Sequence, residues 1–206
     1  MSERKYAFSW ALIGDISQAR PNLGPTLRIE VYRLMQFSFR DVLEARYGAA
    51  EVDRSFYDAG VLAGREFYVN AVDPKPESFN QLVQQRQNML VSMGIGILRV
   101  EEASLDTLNF TLTVSEDLDC SGLPELGYEI CIYDEGFLAG ILEAYSGQPF
   151  TVKEVDCWCT SERTCRVEAK PKTNPEPPKL GPPSLYGLRP GGARCNRKSS
   201  ASYLRH

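Results

Sequence analysis

A chain of 206 residues with 43% hydrophobic and 24% charged side chains can bury one full core without cross-links. Its longest apolar runs, around Ile95 to Val100 and Gly136 to Leu142, fall well short of the ~20 residues a membrane helix needs, and its single histidine, His206, is the last residue, which excludes His-dependent triads, His-rich metal centres and His-ligated haem. The net charge of −4 is uneven, because eight Lys or Arg and one acidic residue lie from Lys170 onward and residues 1–169 carry −11, a balance that repels nucleic acid.

The first ten residues, MSERKYAFSW, have no apolar h-region or small-residue cleavage site, so the expected location is cytoplasmic, where thiols stay reduced. Thr26 to Tyr47 reads as a helix with Leu27, Val31, Leu34, Met35, Phe39, Val42 and Leu43 on one stripe; Pro25 suits its first turn and Gly48 its end. A second helix, from about Val52 to Val69, carries Gly60 and Gly64 at helical spacing, which permits close approach of another backbone. A third, from Ser78 to about Met93, has a serine cap and the apolar residues Phe79, Leu82, Val83, Met89 and Leu90.

The period then changes. Ile95 to Glu102 and Thr107 to Val114 read as strands joined by a turn at Ser104 to Asp106. Asp134 to Tyr145 reads as a helix closed by Gly147-Gln148-Pro149, and Phe150 to Trp158 with Thr164 to Ala169 as a final hairpin. This order predicts an α+β fold, an antiparallel sheet covered on one face by helices. Seven of thirteen prolines follow Val167, with basic residues, Gly and Ser between them. Residues 1–169 are therefore expected to form the domain and 170–206 a disordered, basic, Pro-rich tail holding a lone thiol, Cys195.

Six cysteines in a reducing compartment point to metal or redox chemistry or to core filling, more than to disulfides. Cys157 ends one strand of the last hairpin and Cys165 starts the next; Glu154 lies one step back, and Cys131 opens the preceding helix, where partial positive charge favours a thiolate. These four are the expected zinc ligands. The residues leave three alternatives open: Cys159 in place of Glu154, a pair of buried hairpin thiols, or an iron–sulfur centre that also uses Cys120. Cys120 by itself reads as a buried small hydrophobe or a reactive thiol. The neighbouring run Glu116, Asp117, Asp119 reads as a solvated acidic turn.

ARPNLGP near the start, YDEGFLAGILEAYSGQPFTVKEVDCW and CTSERTC together resemble the 4-vinyl-reductase (4VR) or hydrocarbon-binding domains over residues 20–169. Phenol-responsive transcription activators use such a domain as sensor. The resemblance implies zinc ligands in the order Cys, Glu, Cys, Cys at intervals of 23, 3 and 8, which here fall on Cys131, Glu154, Cys157 and Cys165. It also implies a homodimer, a fold like that of Golgi transport subunits, and a pocket between helices and sheet. Other relatives accompany chlorophyll biosynthesis, but no dinucleotide loop is present for a reductase. The sensors read a phenol hydroxyl with His and Trp; here there is no internal His, and Phe110 stands at the Trp position.

A ligand more apolar than a phenol is thus expected, against Phe110, Leu112, Phe137 and Leu138. The combined expectation is a zinc-stabilised, non-catalytic, homodimeric sensor of a small apolar or aromatic molecule that signals to an output protein in trans. An accessory or reductase role in tetrapyrrole metabolism, or an iron–sulfur or thiol redox switch, are the alternatives.

Overall fold

Residues 6–71 and 76–172 are described by a computed structural model. A 3-10 turn at Trp10–Ile13 and a one-turn helix α1 (Ile16–Ala19) precede three long helices, α2 (Ile29–Tyr47), α3 (Ala49–Asn70) and α4 (Phe79–Ser92). Strands β1 (Ile97–Ser104) and β2 (Asn109–Ser115), helix α5 (Ile132–Ser146), and strands β3 (Phe150–Asp156) and β4 (Cys165–Pro171) follow. Of the tail expected over 170–206, Lys170 and Pro171 instead close β4, paired with Thr151 and Phe150 of β3, and the residues after Lys172, with Cys195, lie outside the described residues.

The four strands form one sheet in the order β1-β2-β4-β3, each neighbour antiparallel. Because side chains alternate along a strand, Phe150, Val152 and Glu154 of β3 fall on one buried face with Cys165, Val167 and Ala169 of β4. Phe110, Leu112 and Val114 of β2 are buried with them, and α4 and α5 bring Phe79, Leu82, Leu138, Ile141 and Leu142 into the same core. The α+β architecture with an antiparallel sheet is the one expected.

Helix α4 starts as its cap predicts, with the Ser78 hydroxyl accepting from the Gln81 N–H at 3.2 Å. Helix α2 starts later than the sequence suggests. Arg28, extended and without a side-chain cap, is its N-cap, so Pro25 precedes the helix and does not sit in its first turn.

The glycines of α3 and α5 serve as expected. A Cβ at Gly64 would lie 2.1 Å from the Phe137 carbonyl oxygen, and one at Gly136 would lie 2.1 Å from that of Tyr57; Gly60 and Gly140 are equally tight. The two backbones touch, and no larger residue fits between them.

Helix α2 is inverted with respect to ordinary amphipathic packing. Its polar side holds it to the body: Tyr32 Oη and Gln36 Nε2 donate to Asp119 at 2.8 and 2.9 Å, and Arg33 donates to the carbonyls of Leu118 and Ser121, both at 2.9 Å. Its apolar stripe faces away, with Leu34 71% and Met35 66% exposed and Val31, Phe39 and Val42 also open. None of its residues is buried.

Candidate functional site

Four cysteines from four separate places in the chain meet at one point. Cys131 is the N-cap of α5 and Cys165 the first residue of β4. Cys157 follows β3 and is fixed by a tight 3-10 turn, in which its N–H donates to Thr160 Oγ1 and its carbonyl accepts from Thr160 N, each at 3.0 Å. Cys120 lies on the loop after β2, held by Asp117, whose Oδ1 accepts from the N–H groups of Asp119 (2.8 Å) and Cys120 (3.1 Å). Arg33 and Trp158 brace that loop from outside, the indole donating to the Leu123 carbonyl at 2.9 Å.

The sulfurs of Cys120 and Cys165 are 3.1 Å apart, and that of Cys131 is 3.9 Å from both Cys157 and Cys165. All four thiols are buried, and all ligand atoms lie within 4.8 Å of one another. A tetrahedron of zinc–sulfur bonds of ~2.3 Å separates the sulfurs by ~3.8 Å, so the set fits one thiophilic ion at its centre. Sulfurs on different irons of a multinuclear cluster stand further apart.

Hydrogen bonds from Cys120, Cys131 and Cys165 hold the Cys157 thiol well below its usual range, while Cys131 is pushed up by the same contacts and by burial. A bound cation resolves this competition by stabilising every thiolate at once.

Glu154 stands beside the sulfurs. Its Oε2 accepts from the Cys131 N–H at 3.4 Å, whereas Oε1 is buried and makes no hydrogen bond. Burial, then the neighbouring Cys157, raise its carboxyl to about 8. The strand bearing it is fixed to α5 by Glu135, whose Oε1 accepts from Glu154 N at 2.8 Å and from Lys153 Nζ at 2.9 Å. The structure therefore gathers Cys131, Cys157 and Cys165 as expected and adds Cys120 as a fourth thiol, with Glu154 at the rim of the set. Cys159 is buried but stands outside the four; its carbonyl accepts from Leu126 and Gly127 at 2.9 and 3.0 Å.

The acidic turn corrects the sequence reading. Asp117 and Asp119 are not solvated but almost fully buried, since one caps the Cys120 turn and the other receives Tyr32 and Gln36 of α2.

Of the four expected ligand-contacting residues, Leu112 and Leu138 line a narrow apolar slot between α4, α5, β1 and β2, about 30 Å³ in volume. Phe110 is stacked on Phe79 with ring centres 4.7 Å apart, and Phe137 packs edge-on against Phe67 at 5.1 Å. Leu82, Leu98 and Leu142 also line the slot, with one polar residue that the sequence reading passed over, Arg86 of α4. Arg86 follows Phe79, Leu82 and Val83 at helical spacing, so a charge interrupting an apolar stripe was the available signal.

Comparison with known proteins supports the resemblance read from the sequence. Residues 110–171, the segment that holds all four thiols, match the V4R domain family. An uncharacterized protein of Methanocaldococcus jannaschii is 29% identical over 72 residues, 35% of this chain and 44% of that protein; the match thus spans less than half of the relative. Among solved structures, the phenol-responsive sensory domain of the transcription activator PoxR, with phenol, is similar at a TM-score of 0.56 and 13% identity, covering 70% of this chain and 75% of that one. A vinyl-4-reductase family protein from Methanocaldococcus jannaschii gives 0.54 and 19%, covering 82% and 99%. A trafficking protein particle complex subunit 3 from Naegleria fowleri, covalently bound to palmitic acid, gives 0.54 and 14%, covering 70% and 95%. At these identities the likeness is one of fold.

Proposed function

We propose that this chain is a ligand-sensing domain of the V4R type, stabilised by one structural zinc ion and without catalytic activity of its own. The observation that carries the reading is the convergence of four buried thiols at the junction of α5, the Cys120 loop and the last hairpin, beside the apolar slot that α5 walls. Zinc, when bound, would supply a cross-link among these elements and, with four protein donors, no open position for substrate.

The protein's own groups do the rest. Cys131 and Cys165, as ligands of one ion, would tie the start of α5 to the start of β4, while Glu135 clamps β3 to the same helix. Leu112 and Leu138 offer an apolar or aromatic ligand a dry wall. The exposed stripe of α2 supports a homodimer, because a helix attached through its polar side leaves its apolar side for a second copy. Among the described residues all five cysteines are without a disulfide, which suits a reducing, cytoplasmic setting. Among the described residues no helix is long and apolar enough to cross a membrane. Output to another protein in trans completes the proposal.

Metal analysis combined with native mass spectrometry tests it. One zinc per chain in a colourless dimer is the expected result. Co-purified pigment or flavin would favour the reductase alternative, and visible absorption near 400 nm would favour iron.

A further inference from the structure

Arg86 is only 3% exposed, and it is the one charged residue lining an otherwise apolar slot. Its Nε, Nη1 and Nη2 are all buried, and among the described residues none of them has a hydrogen-bond partner. The guanidinium carbon lies 5.6 Å from the centre of the Phe67 ring and 5.1 Å from that of Tyr68. Ring contacts of this kind engage the flat faces of a guanidinium. They leave its five donors, which lie in the plane, without acceptors. Burial lowers Arg86 to about 10, so the side chain stays cationic at neutral pH.

Among the described residues no carboxylate pairs with this buried cation, and such a charge is costly to keep and is ordinarily found paired. We propose that the slot binds an amphiphile with an alkyl or aryl body and a carboxylate head, the head forming a two-pronged pair with Arg86. The proposal rests on the ligand-sensing reading above and specifies its ligand class.

Three features select the class. The planar fork of arginine matches the two oxygens of a carboxylate. A single positive charge neutralises a monoanion, whereas a phosphate head brings a second charge and further oxygens that Leu82, Leu98, Leu112, Leu138 and Leu142 have no donors to satisfy. The leucines in turn match an apolar body. A body of six or more carbons exceeds the present volume of about 30 Å³, so occupation requires these side chains to repack, a displacement of the kind a sensor uses. No internal histidine is present and Phe110 stands where a tryptophan was expected, so the polar reader comes from α4, as Arg86.

Isothermal titration of the full, metal-loaded chain with octanoate against 1-octanol, and with phenylacetate against 2-phenylethanol, tests the proposal. Each carboxylate is expected to bind at least ~10-fold more tightly than its alcohol, the factor that about 1.4 kcal/mol supplies. Arg86→Met should abolish that preference while alcohol binding persists. Arg86→Lys, which keeps the charge and loses the fork, should retain only part of it, and it carries the test if the Met variant does not fold. Equal binding of acid and alcohol, or a preference that survives Arg86→Met, overturns the carboxylate proposal and leaves the apolar pocket standing. Binding of neither class overturns the ligand-sensing reading as well.

Discussion

The sulfurs of Cys120 and Cys165 approach to 3.1 Å although 45 residues separate them. Antiparallel pairing of β2 with β4, with Val114 opposite Cys165, brings the loop that follows β2 against the start of β4. The fourth thiol of the cluster is therefore a product of sheet register.

Two candidates for the fourth donor, Cys120 and Glu154, are separable by substitution. Cys165→Ser should lose most of the metal and destabilise the protein by about 3 kcal/mol or more, which for a domain of this size lowers Tm by roughly 6–12 °C. Cys120→Ser should match it if the ion takes four sulfurs, while Glu154→Gln keeps most of the metal. Cys159→Ser should change little. The check is zinc content and Tm across the four variants, and equal loss from Cys159→Ser and Cys165→Ser would overturn the assignment.

The α3–α5 crossing predicts an unusually costly methyl group. Gly64→Ala would place its Cβ 2.1 Å from the Phe137 carbonyl oxygen, a backbone atom that cannot rotate away. Destabilisation of about 3 kcal/mol is expected, at the upper end for overpacking, even though alanine favours helix more than glycine does. Urea unfolding measures it.

Helix α2 predicts a dimer that charge can split. Leu34→Asp together with Met35→Glu alters two of its most exposed apolar residues and should convert a dimer to a folded monomer, as read by light scattering after size exclusion. A wild-type chain already monomeric at micromolar concentration would contradict the proposed partner for this face.

Alkaline pH should destabilise the fold through its buried tyrosines. Burial raises Tyr57, and burial with the Asp119 charge raises Tyr32, above the usual value of 10. The folded state then holds protons that the unfolded chain releases above about pH 10, so the stability from these groups is whole below that pH and declines as pH climbs toward the folded-state values. Tyr57→Phe should make the fall of Tm between pH 9.5 and 11 shallower.

The sequence made much of this legible. Helical spacing of Gly60 and Gly64 announced a close backbone contact without naming α5 as its partner, β-rich runs joined by turns announced both hairpins, and Cys131, Cys157 and Cys165 were recognisable because the last hairpin and the adjoining helix are local in the chain. Cys120 belongs to the set through strand pairing across 45 residues, which no short-range pattern encodes. The stripe on α2 was also visible, but periodicity says that one side of a helix is apolar without saying what covers it. Asp117 and Asp119 look solvated in a row of acids, since the turn and the α2 side chains that claim them are distant in sequence.

Helices α3 and α5 meet without a cushion of side chains. Where two backbones bear on each other there is no side-chain rotamer between them to take up a change in spacing. The start of α5 lies at Cys131 and its flank walls the slot; α3 is joined to α2 through Gly48 and through Arg40, which pairs with Asp53 and lies over the Phe56 ring of α3. The close-packed α3–α5 pair thus lies between the thiol cluster at one end of α5 and the helix that presents its oily side outward.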